Sequence, residues 1–264
     1  MSDSIMKPSA KISRLLQGIP LPKVVKAHQQ FENGSVGNIE AEVRRAVSEL
    51  PQYQEIRAGM SIAVTGGSRG IDRIAAVTKT VCAMLKEKGA APFIIPAMGS
   101  HGGATAAGQL HILETIGITE ESMGVPIRSS METVNIGALS NGLPLCIDRY
   151  AHEADGIVLI NRVKPHTSFK GKYESGLMKM MAIGLGKQEG AQNYHRCGFK
   201  NMSQIIEEAG NLVLSREKVL FGAALTENPH SKINGVHAIA AADIPAKEAE
   251  LLRFAYKNLA LPFF

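Results

Sequence analysis

The sequence has no tryptophan, and aromatic residues fill only 5% of its 264 positions. Binding of single-stranded nucleic acid leans on aromatic side chains interleaved with basic ones, and no such block occurs, so nucleic acid is not the expected partner. Cysteine is scarce as well. Cys82, Cys146 and Cys197 are an odd number at wide spacings, the pattern of free thiols in a reducing cytoplasm. There is no Cys-x-x-Cys and no pair of histidines at helical metal spacing, so a self-contained zinc site is not expected. No run of about eighteen apolar residues is present to cross a membrane. The opening MSDSIMKPSAKISRLL lacks the apolar core and small-residue cleavage site of a secretory signal. Acidic excess is missing too: 24 Asp and Glu stand against 29 Lys and Arg, a net charge of +5. Arg69, Arg162, Lys164, Lys170, Lys172, Lys179 and Lys187 sit beside candidate loops, a distribution suited to a small anionic ligand.

What is present is an alternation of strands and helices. Met60–Val64 has a short buried-strand pattern and runs into the glycine loop Thr65-Gly-Gly-Ser-Arg-Gly70. The apolar positions Ile71, Ile74, Thr78, Val81 and Leu85 then form a helical stripe that stops at Gly89. The unit recurs as the strand Pro92–Pro96, the glycine loop Ala97–Gly103 and a helix over Ala104–Ile116. A weaker round follows through Leu145-Cys-Ile, a helical 151–154 and the strand Gly156–Ile160. Leu21–Lys26 has strand character, Ile39–Leu50 and Met202–Leu214 have helical spacing, Lys218–Leu225 is a strand, and a helix starts near Asp243. Such alternation predicts an α/β, Rossmann-like, largely parallel sheet with helices on both faces and a ligand site at the carboxyl ends of the strands. No low-complexity linker interrupts it, so residues 1–264 are expected to form a single domain.

The loop Thr65–Gly70 resembles the cofactor turn of short-chain dehydrogenases, which would make the chain a nicotinamide-dependent reductase. Asp72 stands where the third glycine would be and would repel a pyrophosphate, and no Tyr-x-x-x-Lys exists. The loop could still hold a phosphate or carboxylate through Ser68, Arg69 and backbone N–H groups. Gly186-Lys187 lacks the rest of a P-loop. The densest chemistry lies in residues 160–198. Here an apolar strand ends at Lys164-Pro165-His166, a basic loop follows, and Lys179 interrupts the apolar Leu177-Met-Lys-Met-Met-Ala. His195 comes sixteen residues after Lys179. His101 and His166 leave different strand ends and could converge on one pocket, where imidazole is suited to moving protons near neutral pH. A desolvated Lys179 would be a nucleophilic amine.

Together, Gly99-Ser-His-Gly102, Lys164-Pro-His166, the Lys179 segment, His195 and Arg69 resemble the nickel-pincer lactate racemase family of 2-hydroxyacid racemases and epimerases, over roughly residues 60–200. The resemblance implies a nickel pincer nucleotide joined covalently to Lys179, with His195 as a nickel ligand. It also implies that His101 and His166 act as acid and base, that Ser68 and Arg69 bind cofactor or substrate, and that the substrate is a small anionic 2-hydroxy acid. Separate cofactor-maturation enzymes would be partners. The His166–Lys179 interval is longer than the family pattern, in the basic loop Ser168–Lys172, which points to a 2-hydroxy acid other than lactate. The family's C-terminal domain is expected to be absent, with a second copy or a partner chain completing the site. A binding module that holds an anionic metabolite or cofactor without turnover is the alternative.

Overall fold

The computed structural model describes residues 10–20, 23, 25–26, 28–68 and 70–259. The chain divides into two units, Met1–Gln30 and Phe31–Phe264. In the first, α1 (Ala10–Leu15) is followed by a turn, and Ile12, Leu15 and Leu16 are exposed. The strand expected over Leu21–Lys26 involves Leu21, Pro22 and Val24, which lie outside the described residues.

The second unit opens with α2 (Ile39–Ser48), whose N-terminus is capped by the Asn38 side chain accepting from the Ala41 N–H at 3.0 Å. A single turn, α3 (Pro51–Gln54), leads to β1 (Ser61–Gly66), α4 (Ile74–Glu87) and β2 (Ala91–Pro96). Next come α5 (Ala106–Thr115), α6 (Glu120–Met123), the strands β3 (Thr133–Ala138) and β4 (Pro144–Asp148), α7 (Arg149–Glu153) and β5 (Gly156–Arg162). The short α8 (Leu177–Lys179) passes into a wide π-turn, Met180–Gly184, and after two turn residues and a left-handed Lys187 (φ +52°) the chain forms α9 (Lys187–Arg196). The last elements are α10 (Met202–Arg216), β6 (Val219–Glu227), β7 (Ile233–Ala240) and α11 (Ile244–Lys257).

The main sheet has the order β2-β1-β5-β6-β7. β2, β1, β5 and β6 are parallel neighbours, and β7 returns antiparallel to β6. Side chains alternate across a strand, so both faces of the sheet need cover. Ile62, Val64, Val158 and Ile160 pack with α2 and α4 on one face. Ala63, Ile157 and Leu159 pack on the other with the residues around Lys179 and those of α10 and α11. The α/β expectation therefore holds. Leu145-Cys-Ile corrects it in detail: this stretch is β4 of a separate antiparallel pair with β3, broken by a bulge between Asn135 and Gly137. The parallel arrangement brings the ends of β1, β2 and β5 to the same side, and the chain beyond each holds the residues singled out above.

Candidate active site

A cavity of about 280 Å3 lies at these strand ends. Ser68, His101, His166, Lys179 and His195 all line it. Arg69 lies outside the described residues. A second cavity, of about 440 Å3, lies between α2, β7 and α11 and is lined by none of these residues.

His101 sits in the loop after β2, and two glycines make that loop possible. Gly102 is left-handed (φ +66°), and a Cβ there would lie 2.5 Å from the Gly108 carbonyl carbon. The loop thus presses directly on the first turn of α5, which Thr105 caps by accepting from the Gly108 N–H at 3.1 Å. Buried Gln109 completes the lock, its amide donating to Gly99 O at 2.8 Å and His101 O at 3.3 Å. The His101 Nδ1 is hydrogen-bonded to the Ser68 hydroxyl in the loop after β1. A hydroxyl donates or accepts, so this contact admits either imidazole tautomer.

His166 follows β5, where Pro165 ends the strand. Buried Glu174 accepts from the His166 N–H at 2.8 Å and the Gly171 N–H at 2.9 Å, closing the basic loop into a ring. The Tyr256 hydroxyl donates to the same carboxylate at 2.9 Å. The His166 Nδ1 accepts the Ser168 N–H at 3.1 Å. A backbone N–H only donates, so the neutral ring carries its proton on Nε2. This ring lies against buried Phe169, with centroids 4.4 Å apart, and Phe169 is near-parallel to Phe199, which lines the cavity.

The Lys179 ammonium lies 5.4 Å from the centroid of the Phe169 ring. His195, an exposed residue at the cavity mouth, sits 6.3 Å from Phe199 between ring centroids. Partial burial of its ring, then the charge of Lys179, push its pKa below the ordinary histidine value. A neutral imidazole keeps a lone pair for a metal ion. Among the described residues no group of three or more His, Cys, Asp or Glu could hold a metal.

Lys187 departs most from the sequence reading. It is fully buried, ion-paired to fully buried Asp148 at 2.8 Å, and donates to the carbonyl of Pro96 at the end of β2. Burial pushes the lysine down and the aspartate up, and their pairing opposes both. Two other cations counted as ligand-facing are also neutralised inside the chain: Arg162 pairs with Glu227 at 2.5 Å, and Lys172 with Glu207 at 2.5 Å. Asp72 is likewise committed. It accepts from Lys232 Nζ, the Ile233 N–H and Arg73 Nε at 3.0–3.2 Å, and α4 begins only at Ile74. The first glycine loop is thus tied to the β6–β7 connection and does not run straight into a helix N-terminus as a dinucleotide turn does.

Sequence reasoning missed Gln109, Asn161, Glu174 and the Phe169–Phe199 pair. Asn161 follows the last apolar residue of β5 and donates to Gly176 O at 2.8 Å, so its place at a parallel-strand end was a usable signal. Gln109 and Glu174 look like ordinary surface residues in the sequence.

An α/β domain with two imidazoles, an amine and a third imidazole around one strand-end cavity defines a class of small-molecule site. The comparisons with known proteins bear on the family and the fold. The lactate racemase N-terminal domain family matches residues 19–206, and the chain belongs to that family. No curated protein matches the sequence. Among solved structures, the lactate racemase apoprotein from Thermoanaerobacterium thermosaccharolyticum is similar, with a TM-score of 0.59 at 18% identity over 82% of this chain. That likeness is one of fold. The chain spans 55% of the length of that structure.

Proposed function

We propose that this chain carries the acid–base half of a racemase or epimerase for a small 2-hydroxy acid. The observation that carries the reading is the convergence of His101 and His166, from the ends of β2 and β5, on one cavity with Lys179 and His195. When the α-hydrogen of a 2-hydroxy acid leaves as hydride, the hydroxyl proton must leave with it and return when the centre is rebuilt, so inversion would use one imidazole to take the hydroxyl proton and the other to return one. His166 holds its proton on Nε2 through the Ser168 contact, whereas His101 can present either tautomer through Ser68. The pair is therefore unequal in tautomer: the neutral His166 ring presents an Nε2–H, whereas His101 can present a lone pair or an N–H, and either ring would have to be protonated before acting as the acid.

A nickel pincer nucleotide fits the donors present. Lys179 would hold it covalently, and His195 would supply one nickel ligand. When bound, the group would accept and return a hydride at the substrate α-carbon. Ser68 and Arg69 would bind anionic groups of cofactor or substrate. Phe169 would stack on the His166 ring from behind and fix its orientation. Cofactor-maturation enzymes would be partners, and a second copy or a partner chain would close the site. Three cysteines without a disulfide support a reducing compartment such as the cytoplasm, and no helix among the described residues is long and apolar enough to cross a membrane.

A second reading, a carrier that binds an anionic metabolite or cofactor without turnover, is favoured by the exposure of His101, His195 and Phe199 at the cavity mouth. Intact mass and nickel content separate the readings, measured on protein co-produced with the maturation enzymes, for wild type and Lys179→Ala. The racemase reading expects an adduct and stoichiometric nickel in wild type, both lost in the variant, with inversion of at least one acid in a 2-hydroxy acid panel. An adduct without inversion would select the carrier. Neither adduct nor nickel would overturn the covalent cofactor.

A further inference from the structure

The segment that presents Lys179 lacks a cap of its own. Gly176 precedes α8 and has no side chain to satisfy the first N–H groups. The acceptor comes instead from seventy residues further along the chain. Glu248, in α11, takes the Leu177 N–H at 2.5 Å and the Met178 N–H at 3.0 Å on one carboxylate oxygen. The side chain is buried, and a Cβ on Gly176 would sit 2.5 Å from its carboxyl carbon. Glycine at 176 and glutamate at 248 therefore form one fitted contact. Helix starts need acceptors, and Asp, Asn, Ser or Thr usually supply them locally.

The same helix reaches the other wall of the cavity. Its Tyr256 hydroxyl donates to Glu174, whose carboxylate holds the His166 N–H. Glu248 lies eight residues before Tyr256, about two helical turns, so one face of α11 serves both contacts. Both residues also lie outside the part of the chain that matches the family, residues 19–206.

We propose that α11 positions the cavity's amine: Glu248 is a remote N-cap that sets where Lys179 stands, while Tyr256 steadies the loop that carries His166. Glu248 is a positioning residue, acting through the backbone of Leu177 and Met178. The proposal deepens the reading of Lys179 as the cofactor-bearing amine. Its test needs neither cofactor nor substrate, so absence of nickel or turnover would sink that reading and leave this one standing.

The experiment compares wild type, Glu248→Ala, Glu248→Gln and Gly176→Ala in the full chain. Hydrogen exchange is followed by mass spectrometry, and each lysine is scored for acylation by a small amine-reactive reagent. In Glu248→Ala, the peptide containing Leu177 and Met178 is expected to exchange about tenfold faster, while peptides from β1 and β2 stay unchanged. Acylation of Lys179 should rise relative to the other lysines. Glutamine retains a carbonyl acceptor, so Glu248→Gln should restore most of both readouts. Gly176→Ala disturbs the contact from the other side and should reproduce the Glu248→Ala pattern, which decides the matter if Glu248→Ala does not fold. Unchanged exchange, or exchange raised equally throughout the chain, would overturn the proposal. Faster local exchange with unchanged Lys179 labelling would also overturn it, leaving Glu248 a cap with no hold on the amine.

Discussion

The two halves of the cavity are held in place by different balances of forces. The half that carries Ser68 and His101 rests on the strand–helix–strand unit β1–α4–β2, where Val64, Val77, Val81, Leu85 and Ile94 are fully buried apolar side chains. The half that carries His166, Lys179 and His195 also packs on fully buried apolar side chains, among them Leu177, Met178 and Met181, and adds buried ionisable groups: Asp148 with Lys187, Glu174 under the basic loop, and Glu248 at the start of α8. Apolar packing is non-directional and tolerant of small shifts, whereas a buried carboxylate accepts from particular N–H groups and is costly when they are absent. The half expected to bear the cofactor thus has more of these directional contacts, and buried Gln109 supplies them on the His101 side.

Removing one partner of the buried pair is the hardest test of that contrast. Lys187→Met leaves Asp148 uncompensated in the interior and should cost about 3–5 kcal/mol in denaturant unfolding, comparable to the ~2–5 kcal/mol expected for Leu85→Ala on the apolar side. A loss well under that of Leu85→Ala would mean that the charged half is not held by its charges.

The halves should also differ in their response to pH. Burial raises the Glu248 pKa to about 7, above the model-compound value of 4.5. The folded state then binds this proton more tightly than the unfolded chain does. Its contribution to stability is fully present below the unfolded value and is lost as pH rises from about 4.5 to about 7, a swing on the order of 3 kcal/mol. Glu248→Gln should flatten that slope in unfolding curves measured across the window, and Leu85→Ala should leave it intact. An unchanged slope in Glu248→Gln would show that another group governs it.

Smaller effects sharpen the comparison. Gln109→Leu deletes the two amide contacts that hold the His101 loop and should cost about 1–3 kcal/mol, read by thermal unfolding, with faster amide exchange in the 99–103 loop. Tyr256→Phe removes a single hydrogen bond to Glu174 and should cost about 1 kcal/mol. Its local signature would be faster amide exchange at His166 and Gly171, without change near His101.

The same contrast explains what the sequence disclosed. β1, β2 and β5 are short apolar runs and α4 has a clean stripe, so their existence and the strand-end site followed from periodicity. β7 did not: its buried Ile233, Val236 and Ile239 recur every third residue, with glycine, histidine and alanine between them. α9 was hidden for a similar reason. Its buried face is Lys187, Gly190, Ala191 and Tyr194, a helical spacing occupied by residues that hydrophobicity does not flag. Of the site, His101 and His166 were legible as imidazoles in loops after strands, and Lys179 as a charge inside an apolar run, while His195 followed only from the family spacing. Glu174, Glu248 and Asp148 were not, since a carboxylate that caps a buried amide looks in sequence like one that faces water.

The π-turn after Lys179 has a consequence for insertions and deletions. The Leu185 N–H reaches back five residues to Met180 O at 2.8 Å, so this stretch holds one residue more than an α-helical path needs. Removing one residue from 180–184 would let the wide turn tighten to an ordinary α-turn while the segments on either side keep nearly their present directions. The left-handed Lys187 (φ +52°) already interrupts the helix before α9, so the direction of His195 is set by that break and not by a continuous helical phase running from Lys179. The wide turn is therefore slack in the chain, a place where a relative could be one residue shorter and still bring its lysine and histidine to the same cavity.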